Sequence, residues 1–348
     1  MRIAILYTEL ADYTIACLKA LKNTDPAIHL LVIHYPVNPE APFAFDFGGI
    51  GEFICNKEFP TYEAMLARVE AFQPDKILCC GWVNKWYVKI CHQYRRKAIN
   101  ILALDNHWRG TMKQQLLRIV SRVYLKKIFK KVWVPGAPQT QYAKKIGYDT
   151  NSIMTGFYCC DLERYDSLYH KFRLEKERAF PHRFLCVARY IPSKNYQTLW
   201  KAFIQWKEQS NTDWELWCAG TGEQFEDRVQ HPAIRHLGFV QKNQWEEVVG
   251  QTGIFILPSL DEPWAVAVHE FAVAGYPLLL SNRVGAASRF LSTANGLRFD
   301  PANADSIIQC FDAISRLTQE QLVQMSMASH VLGQTITPRT WAETLLKA

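Results

Sequence analysis

Glu262 and Glu270 stand eight positions apart in the run 253–270, GIFILPSLDEPWAVAVHE, where carboxylates sit beside apolar residues. An apolar stretch ends at Pro258, a polar turn follows, and an apolar helical pattern then carries His269 and Glu270 through its middle. Polar groups in such surroundings are destabilising unless they are paired or put to use. Ile254 to Leu257 read as a strand buried on both faces, with Pro263 or Trp264 at the first helical position, where proline is preorganised. Glu262 then lies at a strand-to-helix crevice, and Glu270 lies about two turns along, roughly 12 Å away at the helical rise. That separation suits the two ends of one elongated ligand, whereas a glycosidase acid and nucleophile need roughly 5 to 9.5 Å. The competing reading is a solvated charge at a helix N-terminus, with His269 and Glu270 facing water.

Other segments offer complementary chemistry. In 184–200, FLCVARYIPSKNYQTLW, a buried strand ends at Arg189, a turn carries Lys194, and an amphipathic helix follows. Two cations at the carboxyl end of a strand, beside a helix N-terminus, make a site for a pyrophosphate, or else an exposed basic pair. Gly220 and Gly222 follow a strand in LWCAGTGE, where a ligand or another backbone can approach closely, or where the chain simply turns. Gly238 plays a similar part before Val240. In 102–111 Asp105, Asn106, His107 and Arg109 cluster beyond a strand end, as a ligand site or as a helix N-cap region. The stretch 109–131 sets Arg118, Arg122, Lys126, Lys127, Lys130 and Lys131 among apolar residues. It reads as a core-packed helix with a solvated basic face, or as a helix lying on an anionic bilayer. There is no Asp-x-Asp pair, no His-x-x-x-His and no P-loop pattern, which argues against a tightly held catalytic metal or a P-loop nucleotidase.

These sites need a scaffold that presents strand ends. Strand-like runs at 2–7, 28–34, 76–80, 99–103 and 132–135 alternate with helical patterns at 13–22, 62–72, 84–92, 111–129 and 139–146. A charged stretch at 158–183 reads as a connection or a domain-entry helix. Alternation resumes at 184–188, 216–219, 234–240, 253–257, 276–281 and 296–299. The pattern predicts an α/β protein of two Rossmann-like domains, 1–157 and 158–335, with a C-terminal helix at 336–348 packing back on the first.

The chain has 348 residues, 49% apolar and 21% charged, which describes an ordinary globular protein large enough for two cores. Its net charge of +7 falls within the first half, the second being nearly neutral. That asymmetry suggests an anionic acceptor or membrane surface. Ten cysteines without metal-ligand spacing read as reduced thiols, and no signal segment or uncharged apolar stretch near 20 residues is present. The expected location is cytoplasmic, with peripheral contact at an inner membrane face. No nucleic-acid-reading motif is found.

Together these segments resemble family 4 glycosyltransferases, retaining enzymes of the GT-B fold that share an E-x7-E motif. The resemblance rests on Asp261-Glu-Pro-Trp-Ala-Val-Ala-Val-His-Glu270, Ala274-Gly-Tyr-Pro and Ser281-Asn-Arg-Val-Gly285. Arg189 and Lys194 fall where that family places its diphosphate-binding pair, and Thr155-Gly156 before Asp161-Leu-Glu-Arg-Tyr resembles the end of its first domain. It implies two domains with mainly parallel sheets facing a central cleft. The implied donor is a nucleotide sugar, such as a UDP- or GDP-sugar, bound as substrate with no cofactor and no metal. The implied acceptor is a glycan or lipid-linked saccharide in polysaccharide or lipid-linked glycan assembly.

By the same resemblance, Arg189 and Lys194 neutralise the donor diphosphate, Glu262 meets hydroxyls of the transferred sugar, and His107 is the N-domain histidine near that sugar. Glu270 holds the ribose, and Gly220, Gly222, Val240, Ser259 and Trp264 complete the donor-binding set. No carboxylate nucleophile is evident. Front-face attack with assistance from the leaving phosphate is therefore expected, under domain closure that excludes water. Two departures stand out: Tyr7-Thr-Glu-Leu-Ala-Asp12 replaces the family's glycine-rich turn, and Ala265 replaces the glycine common after Trp264. A nucleotide-sugar epimerase and a non-catalytic nucleotide-sugar-binding module are the alternatives.

Overall fold

The computed structural model describes residues 1–37 and 46–348. It divides into two compact units, 1–161 with 336–348, and 162–335. The first unit holds β1 (Arg2–Leu6), β2 (His29–His34), β3 (Glu52–Cys55), β4 (Lys76–Cys80), β5 (Ile99–Ala103), β6 (Lys131–Val134) and β7 (Ile153–Thr155). They form one sheet in the order β3-β2-β1-β4-β5-β6-β7, with parallel ladders throughout. Its helices are α1 (Asp12–Thr24), α2 (Tyr62–Phe72), α3 (Lys85–Tyr94), α4 (Met112–Val123), α5 (Leu125–Ile128) and α6 (Ala137–Lys145). Ile3 to Leu6, Ile77 to Cys79 and Ile101 to Ala103 are buried on both faces, which requires helices on both sides of the sheet.

In the second unit α7 (Leu162–Arg178) leads into β8 (Arg183–Val187), α8 (Tyr196–Gln209), β9 (Glu215–Ala219) and β10 (Ile234–Gly238). Then follow α9 (Trp245–Gln251), β11 (Ile254–Leu257), α10 (Val266–Val273), β12 (Leu278–Ser281), α11 (Ala287–Phe290), β13 (Gly296–Phe299), α12 (Ala304–Ser315) and α13 (Gln319–Gly333). The parallel sheet runs β10-β9-β8-β11-β12-β13. The chain winds outward from β8 to β10, returns beside β8 with β11, and winds outward the other way. The strand order therefore reverses between β8 and β11, and in the first unit between β1 and β4. In open α/β sheets ligands bind at the carboxyl ends of the strands flanking such a reversal.

The last helix, α14 (Pro338–Lys347), belongs to the first unit and packs on α1. Trp341 Nε1 donates to Phe157 O at 2.7 Å, its ring lies 4.8 Å from that of Trp133, and Lys76 Nζ donates to Leu345 O and Leu346 O at 3.1 and 2.8 Å.

Several expectations need correction. β3 and β7 are edge strands of partly exposed residues, so no buried apolar run announced them. Of the two readings of the charged stretch after Tyr158, the domain-entry helix holds and is no correction: it forms the long helix α7 at the start of the second unit, which buries Tyr165, Leu168 and Tyr169. The strand expected over 234–240 ends at Gly238, whose φ of 68° turns the chain out of the ladder. The helix expected over 111–129 breaks at Tyr124 into α4 and α5.

The orientation of α4 also departs from the core-packed reading. Met112, Leu116, Ile119, Val120 and Val123 share one helical face, and all are exposed, Met112 at 79% and Ile119 at 70%. The buried residues are Gln114 and Ser121. Gln114 accepts from Arg109 N at 2.7 Å and donates to His107 O at 2.9 Å, and Ser121 Oγ donates to Ile146 O at 3.1 Å. Polar hooks hold this helix while its apolar side faces outward, bordered by Lys113 and Arg122.

Candidate active site

The turn after β8 is held by its own aromatic residues. Tyr190 is buried and stacks on Tyr196 at 4.1 Å, and its hydroxyl lies 2.9 Å from His236 Nδ1. The carbonyl of Val229, 2.8 Å from His236 Nε2, can only accept, so Nε2 carries the hydrogen and Nδ1 accepts from Tyr190. Burial lowers the His236 pKa, favouring the neutral ring. Arg189 is exposed just before this anchor.

Beyond it, residues 192–194 make a single 3-10 turn, and Asn195 enters α8 in the left-handed region at φ 61°. Asn195 Nδ2 donates to Pro258 O at 3.1 Å and to Pro301 O at 2.7 Å, while Leu260 N donates to Ser193 O at 2.8 Å. The bonds to Pro258 O and from Leu260 N join the loops after β8 and β11, the two strands at the reversal, and the one to Pro301 O reaches the loop after β13.

The joined loops bring Lys194 and Glu262 together. Lys194 Nζ pairs with Glu262 Oε2, which also accepts from Ser259 Oγ at 3.4 Å. Glu262 is only 8% exposed, so its charge relies on these partners. The 262–264 segment lies against the turn after β12: Gly285 N donates to Glu262 O and Ala286 N to Trp264 O, each at 3.0 Å. A Cβ on Gly285 would fall 1.9 Å from Pro263 O, so this approach requires glycine. Ser281 Oγ fixes Ser259 from below by donating to its carbonyl at 2.7 Å.

The helix after this loop starts at Val266, later than Pro263 or Trp264, because Ala265 adopts φ 78° and ψ 94°. A non-glycine residue there carries backbone strain. Only part of the span from Glu262 to Glu270 is helical, so the helical rise alone does not set their separation. Glu270 is half-buried on α10. His269 does not face solvent: it is fully buried, its Nε2 is 2.8 Å from Gly333 O, and its ring stacks on Phe290 at 4.3 Å. Trp264 is buried edge-on to Phe290 at 6.1 Å, with no hydrogen-bond partner at Nε1.

Both a glycine-favouring turn and close approach of another backbone are observed, with φ of 135° at Gly220 and 150° at Gly222. A Cβ on Gly220 would meet Ala188 O at 2.0 Å, and one on Gly222 would meet Tyr190 O at 2.7 Å. Both pack against the turn that carries Arg189. Gly238 has open space where a Cβ would be, and Val240 follows it, half-buried. His107 lies in the first unit, half-buried in the loop after β5. In that unit the strand reversal instead presents the loops Tyr7–Asp12 and Gly81–Asn84, which strand order alone reveals. A cavity of about 370 Å³ lined by Arg2, His29, Glu52, Arg68 and Phe72 sits at the amino ends of β1 to β3, the end opposite to the ligand-binding one.

Residues 172–328 match the family model of the glycosyl transferases group 1. An uncharacterized glycosyltransferase of Methanocaldococcus jannaschii is 28% identical over 137 residues, 37% of this chain and 35% of that one, so the match spans about a third of its relative's length. Among solved structures, a glycosyltransferase from Rickettsia africae aligns with a TM-score of 0.75 at 13% identity, covering 99% of this chain and 97% of that one. Sucrose-phosphate synthase from Thermosynechococcus elongatus aligns at 0.75 and 15%, covering 100% and 98%. Anabaena HepE in complex with UDP and glucose aligns at 0.71 and 14%, covering 99% and 98%. The chain thus has the GT-B fold of two parallel-sheet α/β domains, and residues 172–328, which contain Lys194 and Glu262, are those that match the group 1 glycosyl transferases.

Proposed function

We propose that the protein is a retaining glycosyltransferase that moves a sugar from a nucleoside-diphosphate donor to an acceptor hydroxyl, without a metal. The observation that carries this reading is the meeting of Lys194 and Glu262, with Arg189 on the same turn, at the strand reversal of the second unit. Negative charge develops on the departing diphosphate, and preorganised cations stabilise it there. Lys194 has three donors and gives one to Glu262, leaving others for phosphate oxygens. In this reading Arg189 and Lys194 hold the diphosphate, Glu270 the ribose, and Glu262 the transferred sugar. Ser259, Trp264, Gly220, Gly222 and Val240 shape the donor site. Attack comes from the face the diphosphate leaves, and its oxygen assists deprotonation of the acceptor. The nucleotide complexes of HepE favour a nucleotide sugar over other donors.

A thermal-shift screen of UDP- and GDP-sugars, followed by product analysis with glycan and lipid-linked acceptors, tests this. A true donor at about 100 times its Kd raises stability by about 2.7 kcal/mol. Arg189→Ala and Glu270→Ala are expected to abolish donor stabilisation and transfer; unchanged activity in both overturns the site. His107→Gln tests the first unit's histidine. Product formed without acceptor would favour an epimerase, and binding without turnover a non-catalytic module.

The outward apolar side of α4, flanked by Lys113 and Arg122, supports a second element of the reading: contact with an anionic membrane at which a lipid-linked acceptor resides. No helix among the described residues is long and apolar enough to cross a membrane, so contact would be peripheral. Flotation with phosphatidylserine vesicles should recover the protein, and Leu116→Ser with Ile119→Ser should abolish recovery. Absence of binding at both low and high salt ends this part.

A further inference from the structure

Asp166 and His170 are four residues apart on one face of α7, and His330 projects from α13 toward both. His330 Nε2 is 3.5 Å from Asp166 Oδ1, and His170 Nε2 is 3.7 Å from Asp166 Oδ2. One ligand atom from each residue lies within 4.8 Å of the others. His330 is held on its other side. Its ring stacks on Tyr169 at 3.7 Å, and its Nδ1 lies 2.7 Å from Val273 O. A carbonyl can only accept, so Nδ1 carries the hydrogen, and in the neutral ring Nε2 presents a lone pair toward the carboxylate. Two acceptors facing each other repel unless a proton or a metal ion lies between them.

We infer that Asp166, His170 and His330 bind a divalent transition-metal ion of the zinc class. Two imidazoles and a carboxylate are the donor set such an ion selects. Bonds of about 2.0–2.1 Å in a tetrahedron separate ligand atoms by about 3.3 Å, close to the 3.5 Å between His330 Nε2 and Asp166 Oδ1, whereas the 3.7 Å spacing of His170 is to the other carboxylate oxygen. The adjustment falls mainly on His170, whose side chain is 56% exposed. The supporting shell is present as well: Val273 O fixes the His330 tautomer, and Gln334 Nε2 donates to Asp166 Oδ1 at 2.6 Å. The ion ties α7 to α13 at the C-terminal end of α10, the helix that carries Glu270. Its role is structural, outside the chemistry proposed above.

Titrating the metal-stripped full-length protein with zinc in a calorimeter, and with cobalt(II) in a visible spectrophotometer, tests the inference. One zinc per chain is expected, with a rise in Tm and cobalt bands of a low-coordinate site. His170→Ala leaves the metal-free Tm unchanged and weakens zinc by more than the roughly 10–100-fold that loss of an outer-shell partner costs. Asp166→Asn, which keeps shape and a partner for Gln334, weakens zinc similarly; should that variant unfold, His170→Ala decides alone. No zinc binding by the wild type, or wild-type affinity in either folded variant, overturns the site.

Discussion

Ala265 shows how a single backbone angle bears on the site. Its φ of 78° lies where an L-residue is strained, and it stands between Glu262 and the helix carrying Glu270. The glycine expected there by resemblance is thus demanded by conformation. Ala265→Gly should stabilise the protein by about 1 kcal/mol, less the extra freedom glycine gains when unfolded. A Tm rise of at most roughly 2–4 °C in calorimetry is the expected outcome; a fall would mean that glycine's extra freedom when unfolded, or contacts of the Cβ, outweigh the strain. His236 offers a second test. Burial lowers its pKa, so its contribution to stability is full above about pH 6.5 and is lost as pH falls toward the lowered folded value. His236→Gln retains a donor for Val229 O and an acceptor for Tyr190 without a titrating proton. Its Tm should decline less than that of the wild type between pH 7 and pH 5, and an equal decline would assign the loss to other groups.

Elements buried on both faces were readable from sequence, since β1, β4 and β11 are unbroken apolar runs between polar turns. The edge strands β3 and β7 were not, because their partly exposed residues leave no pattern of that kind. In the site, Lys194 and Glu262 could each be assigned to a strand end, but their pairing, across 68 positions, depends on β8 and β11 being neighbours. Asn195 escaped notice, and Ser281 and Gly285 entered only as part of a resembling segment with no role attached, because their work is to hold loops from non-consecutive strands, and nothing local signals that. The α4 helix misled for another reason: its periodicity defines an apolar face without saying which side is covered. The structure therefore predicts an inversion of the usual mutational pattern. Gln114→Leu should cost about 1–3 kcal/mol by leaving the Arg109 N–H and the His107 carbonyl without their partner. Leu116→Ser and Val120→Ser should stay within about 0.5 kcal/mol. Urea denaturation of the three variants checks this, and a large loss from either serine variant would show that the apolar face is covered in the folded protein.

At the scale of the whole molecule, the chain crosses from the first unit to the second once and returns for its last helix, so the first unit is completed only when residues 336–348 have been added. The return is built into its core. Trp341, Ala342 and Leu345 are buried, the Trp341 ring lies beside Trp133, and two of the last carbonyls of α14 accept from buried Lys76. Burial lowers the Lys76 pKa, and its ammonium depends on those carbonyls for as long as α14 covers it. Burying a side chain such as Leu345 is worth about 1.5–3 kcal/mol, and Trp341 adds a larger area, so deletion of 336–348 should remove several kcal/mol from the first unit. That is a large share of the stability of a domain this size. Hydrogen exchange read by mass spectrometry separates the units: amides of α1, β4 and β6 should exchange faster in the deletion variant, while those of β11 and β12 keep their protection. Equal acceleration in both units, or protection of the first unit unchanged by the deletion, would refute the assignment of α14 to the first core.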